Sequence, residues 1–221
     1  MKPEKAKKPP HRDPLAPPLR AEQPIIAFAS PTEFSKWLAK HHAGHQGIWM
    51  RIYKKASGRP TVTYAEALDV ALCHGWIDGQ KQRGDEESWL QKFTRRGPRS
   101  VWSKVNVGNI ARLISEGHMQ PAGIAAVEAA KADGRWDNAY HSSSTAEVPA
   151  DFLQALAKSR KAEAFFNTLN KANRYSFLYR LQNAKKPETR LKRMKDFVAM
   201  LARGEQFHLP LASKISPKKS K

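Results

Sequence analysis

Between Thr63 and Asn106 the hydrophobic pattern changes period, and that change restricts the fold more than any other stretch of the chain. Thr63-Tyr64-Ala65-Glu66 has the form of a capping box, in which a hydroxyl and a carboxylate three residues apart satisfy the amides that open a helix. Tyr64, Leu68, Leu72 and Trp76 then recur at four-residue spacing, so they share one helical face and predict a buried row. Gly75 stands where a left-handed residue ends a helix, and Ile77 to Arg83 reads as a strand. Gly84-Asp85-Glu86-Glu87 predicts a turn, and Ser88 to Thr94 the returning strand.

The flanking segments extend this helix–hairpin unit. Ile25 to Phe28 predicts a short strand, and Ser30-Pro31-Thr32-Glu33 opens a helix with Phe34, Trp37 and Leu38 on one side, ending near His41. Ile48 to Tyr53, rich in β-branched and aromatic residues, predicts another strand before the turn at Ala56–Pro60. The expected fold class is therefore α+β: a small, three-stranded antiparallel sheet with covering helices, followed by a helical C-terminal domain. Helices are expected over Val107–Glu116, with Asn106 as cap, and over Pro121–Asp133. His141 to Glu147 reads as a linker. Beyond it, helices are expected at Ala150–Lys158, Arg160–Leu169, Arg174–Ala184 and Pro187–Ala202. The domain reading is an α+β domain over 25–140, the linker 141–147 and a helical domain over 148–204. Residues 1–24 and 205–221 read as basic tails, with disorder expected over 1–24 and 211–221.

Charge bears on partners. Among 221 residues, 39 Lys and Arg oppose 20 Asp and Glu, a formal +19. The ends account for +3 each, leaving about +13 on residues 25–204, a field that favours RNA, DNA or another polyanion. Cys73 is the only cysteine, so no internal disulfide forms and no thiolate pair is available to a metal. The start of the chain has no apolar stretch after its lysines, and the expected compartment is the cytoplasm.

The segment Tyr64, Ala67-Leu68, Cys73-x-Gly75-Trp76-Ile77-Asp78-Gly79, followed by Phe93-Thr94 and Ser100-x-Trp102-Ser103-x-x-Asn106, resembles the YdeI/OmpD-associated family, also called bacteriocin-protection proteins. The run Ala184-Lys185-Lys186-Pro187-Glu188-Thr189-Arg190 with Arg193 is similar to the second half of that family. The resemblance covers roughly residues 25 to 204. Arg95 stands where the family pattern has proline, with Pro98 displaced by three residues, so the turn there differs. The resemblance implies a role in protection against bacteriocins or cationic antimicrobial peptides and in association with a porin, and it brings no catalytic residues. A body of about +13 repels a cationic peptide, so the implied protection is expected to act indirectly, through an anionic or regulatory partner.

Five constellations come into question for the functional role. Residues 95–104 carry four positive groups and no acid, and with Lys81 and Arg83 they define a polyanion-binding candidate: Lys81, Arg83, Arg95, Arg96, Arg99 and Lys104. Guanidinium groups grip phosphate bidentately and neighbouring rings stack bases. The competing reading makes Trp89 and Phe93 core and the arginines a solvated rim. Tyr64, Trp76, Asp78 and Trp102 define a ligand-pocket candidate, in which Asp78, flanked by Trp76 and Ile77, is expected to pair with Arg95, Arg96 or Arg99. On the C-terminal helix, Lys185, Lys186, Arg190, Lys192, Arg193 and Lys195 read better as a solvated face. Cys73 and His74 are adjacent on a helix and point about 100° apart, which is poor geometry for a nucleophile and its base. His41, His42 and His45 read as surface histidines, with no metal site. The expectation is a non-enzymatic protein without cofactor that binds a polyanion or anionic partner. Its alternatives are a small-molecule binder or enzyme at Trp76 and Asp78, and a protein-interaction scaffold.

Overall fold

The computed structural model describes residues 23–208, so the expectations for 1–22 and 209–221 lie outside the described residues. The described residues form two compact units, 23–71 together with 76–95, and 72–75 together with 96–208.

The first unit is built on a four-stranded sheet in the order β1-β2-β4-β3. Its strands are β1 (Ile25–Ala27), β2 (Gly47–Tyr53), β3 (Trp76–Arg83) and β4 (Ser88–Arg95). The hairpin and β2 are antiparallel as expected, with Ile48 opposite Phe93 and Trp76 opposite Arg95. The sheet is nevertheless mixed, because β1 pairs with β2 in parallel, Ile25 against Trp49. The helix between them, α1 (Pro31–His41), provides the crossover that a parallel pair requires. One sheet face, through Ile48, Met50, Ile52 and Phe93, packs on Phe34 and Leu38 of α1 and on Ala67 and Ala71 of α2 (Tyr64–Cys73). Trp76 lies in the same core.

The capping box that opens α2 forms in both directions. The Glu66 carboxylate accepts from the Thr63 amide at 2.9 Å, and the Thr63 hydroxyl accepts from the Glu66 amide at 3.3 Å. The Thr63 hydroxyl and amide hold the Glu66 carboxyl below the ordinary glutamate range. Its folded-state pKa is depressed, so the contribution is complete above the unfolded value and is lost as pH falls through the folded one. Thr63→Ala is expected to cost about 1 kcal/mol in urea denaturation at neutral pH. That deficit is expected to shrink as the solution is acidified through the glutamate range.

In the second unit, α3 (Lys104–Ser115) begins earlier than expected. Its cap is Ser103, whose hydroxyl accepts from the Asn106 amide at 3.1 Å, while Asn106 itself is buried in the first turn. Both residue types cap well, and the tertiary position of Asn106 decided between them. Next comes α4 (Pro121–Ala132), then a bundle of α5 (Ala150–Ala157), α6 (Arg160–Thr168), α7 (Lys171–Gln182) and α8 (Pro187–Ala202). The start of α7 also precedes expectation, because the Asn170 side chain caps it by accepting from the Asn173 amide at 2.9 Å. Phe152, Phe166, Phe177 and Phe197 form the bundle core.

Two segments expected outside the domains are held within this unit. The Tyr175 hydroxyl donates to the His141 carbonyl at 2.9 Å, and Ala146 packs on the bundle core, so residues of the 141–147 stretch are anchored. At the other end Phe207 lies 4.7 Å from Phe177, ring to ring, and the His208 amide donates to Asn173 at 2.9 Å. The ordered chain thus passes residue 204, carried by one apolar side chain that composition counting did not weigh.

Candidate functional site

On the β3–β4 hairpin, alternation puts Asp78, Lys81 and Arg83 on the face of the sheet that carries Trp89 and Phe93, with Arg83 opposite Trp89. The register shifts between Asp78 and Lys81, and this bulge absorbs the extra residue that would otherwise turn Lys81 to the other face. The Lys81 ammonium sits 4.2 Å above the centre of the Trp89 ring. Tyr64, at the start of α2, lies 6.3 Å from the same ring and donates its hydroxyl to Asp78 at 2.7 Å. Asp78 is therefore partnered by a phenol, and the arginine ion pair expected for it is replaced by this bond. The bland reading of Trp89 holds in part: it packs against the core, yet it remains only half-buried. Lys81 and Arg83 are exposed, and Tyr64 is 38% exposed.

The other face of the sheet repeats the arrangement between β2 and β4. Lys92 stands opposite Trp49, its ammonium 5.5 Å from the indole centre. Beyond β2, the Arg59 guanidinium lies 5.1 Å over the Tyr53 ring. The Trp49–Lys92 pair was missed from sequence. Its signal was the alternation in Trp49-Met50-Arg51-Ile52-Tyr53, which places two aromatic rings and a cation on one face.

The remaining polyanion candidates have separate fates. Arg95 donates to the Ala43 carbonyl at 3.3 Å and stays exposed. Arg96 is structural: its guanidinium stacks 3.5 Å over Trp102 and donates to the Val101 carbonyl at 3.2 Å. Arg99 is exposed in a turn closed by the Ser100 hydroxyl, which accepts from Gly97 at 2.9 Å. Lys104 is exposed at the first turn of α3.

For the pocket candidate, Trp76 is fully buried and its indole N–H donates to the His42 carbonyl at 3.2 Å, which makes it a core residue rather than a wall. Trp102 is 2% exposed and meets Trp136 edge-on at 4.9 Å. Cys73 and His74 are both buried where the chain leaves α2. The rings of His41 and His45 lie tilted against Trp37, their centres 4.9 and 5.2 Å from it. Among the described residues, no three His, Cys, Asp or Glu side chains group as metal ligands, and no helix is long and apolar enough to cross a membrane.

On the helical unit, Arg190 and Arg193 serve the fold. Arg190 grips both oxygens of Asp151 at 2.8 Å, and Arg193 donates to the Arg180 carbonyl at 2.6 Å.

Comparison with known families divides the chain elsewhere, between residues 126 and 145, inside the second unit. Residues 145–204 match the family described as Bacteriocin-protection, YdeI or OmpD-Associated. Residues 26–126, which hold the Trp-Ile-Asp-Gly and Ser-x-Trp-Ser motifs, match a domain of unknown function, DUF8412. The resemblance read from sequence is thus shown through the helical part. No curated protein and no solved structure matches the chain.

Proposed function

We propose that this protein is a non-enzymatic binding protein that takes a single-stranded polyanion, RNA or DNA, onto the β3–β4 hairpin of its sheet. The observation that carries the reading is Lys81 resting on the half-buried ring of Trp89, with Arg83 in register beside it. An exposed cation–π contact is worth about 0.5–1 kcal/mol, whereas stacking a base on an aromatic side chain returns about 1–3 kcal/mol. A base that displaces Lys81 from Trp89 therefore gains on balance, and the freed ammonium reaches a phosphate. Arg95 adds an exposed cation at the far end of β4, and the +19 of the chain steers a polyanion towards the protein. Tyr64 keeps Asp78 engaged, which limits the repulsion that a free carboxylate would offer a phosphate.

Under this reading, the protection named by the family matched at residues 145–204 acts on or through a nucleic acid, not by capture of a cationic peptide. The test is a titration of the full chain with labelled single-stranded RNA, single-stranded DNA and duplex DNA over a range of salt. The Lys81→Glu/Arg83→Glu variant is expected to lose at least about tenfold in single-strand affinity and to flatten the log–log salt slope by roughly 1.4. Equal affinity of variant and native chain for the single strands would remove the hairpin from the site.

A further inference from the structure

A groove of about 660 Å³ runs between α5 and α8 of the helical unit. Its floor is apolar, formed by the buried Met194 with the small side chains of Ala155 and Ala202, and Leu191 stands at its edge with 56% of its surface exposed. Leu191, Lys195, Val198 and Ala202 follow one another at helical spacing along α8, so the groove extends along the helix axis and suits an elongated ligand. Lys158 and Lys195 flank it and carry no ion pair within the described chain. The acid lining it, Asp151, is already neutralised by the two-oxygen grip of Arg190. An apolar floor between uncompensated cations is complementary to one kind of ligand.

We propose that this groove is a docking site for an acidic amphipathic helix of a partner protein, its apolar side on Ala155 and Leu191 and its carboxylates on Lys158 and Lys195. The chain's own ends are poor occupants, since residues 209–221 carry four lysines and no acid, and residues 1–22 six basic groups against three acids. This site is separate from the hairpin and stands or falls without it.

The probe is a fluorescein-labelled peptide of about 18 residues with leucines at i, i+3, i+4 and i+7 and glutamates elsewhere, titrated against the full chain by anisotropy. The expected result is saturable binding that weakens with salt. A peptide of scrambled order and one with lysine for every glutamate are each expected to bind at least about tenfold more weakly. Leu191→Asp and Lys158→Glu/Lys195→Glu, both at exposed positions, are expected to reduce affinity by a similar factor without changing the circular dichroism spectrum. Lys81→Glu/Arg83→Glu is expected to leave peptide binding unchanged, which separates this site from the polyanion site. Absence of peptide binding, equal binding by the Leu191→Asp variant, or a dimer by light scattering that Leu191→Asp dissociates would each overturn the proposal, the last by making a second copy the occupant.

Discussion

Gly123→Ala is expected to destabilise the second unit by about 3 kcal/mol or more, although alanine is the better helix former by about 1 kcal/mol. Gly123 lies in the first turn of α4, and a Cβ there would stand 2.1 Å from the Cys73 carbonyl oxygen and 2.7 Å from its carbon. Backbone cannot yield as a side-chain tip does, so α4 must withdraw from the 72–75 corner. Withdrawal strains the bond from the Gln120 amide to that same carbonyl, 3.1 Å long, and uncovers Cys73 and His74. Gly75 makes the reciprocal approach: at φ +72° its Cβ would lie 2.8 Å from the Ala122 carbonyl. Gly108, an exposed glycine inside α3 with nothing near its Cβ, supplies the control, and Gly108→Ala is expected to stabilise by about 0.5–1 kcal/mol. Thermal melts of the two variants should move in opposite directions. Equal shifts would mean that propensity alone governs both positions and that the corner is not tightly packed.

The same corner shows what pattern reading reaches and what it does not. The capping box and Gly75 located α2 and its end because each is a local rule in which neighbours along the chain settle one another's backbone, whereas Trp76, read as the last member of the helical row, lies beyond Gly75 as the first residue of β3. Tyr64 broke the row: spacing put it with Leu68, Leu72 and Trp76, yet it stays partly exposed and turns its hydroxyl to Asp78. The parallel pairing of β1 was not legible, since three residues of strand fit either direction and only the α1 crossover decides. Gly123 carried no signal at all. A glycine in an alanine-rich helix looks like neutral variation until the carbonyl that passes beside it is seen. For the site, charge and aromatic content were visible, but which cation rests on which ring depends on the bulge between Asp78 and Lys81, a register event that composition does not encode. In the arginine-rich run after Arg95 the side chains part for a related reason: Arg96 donates to Val101 and covers Trp102, while Arg99 stays exposed.

Trp76→Ala is expected to cost about 3–5 kcal/mol, the range for removing a fully buried large aromatic, and to lower the melting temperature by on the order of 10 °C. The side chain has no exposed surface, crosses Trp37 edge-on at 6.0 Å, and its departure leaves the His42 carbonyl without the indole donor. Trp76→Phe keeps a ring and loses that donor, so a smaller loss of about 1–3 kcal/mol is expected. The pair of variants also decides between two roles for this residue. A tryptophan lining a ligand cavity can be removed at little cost to stability but at large cost to binding. A core tryptophan does the reverse, and single-strand affinity measured well below the melting point should be unchanged in Trp76→Phe. If Trp76→Ala instead melts with the native chain, the ring is not in the core and a cavity at Trp76 and Asp78 becomes the better account of the first unit. If it melts early while Trp76→Phe binds normally, Trp76 acts on the site only by holding β3 in the register that puts Lys81 over Trp89.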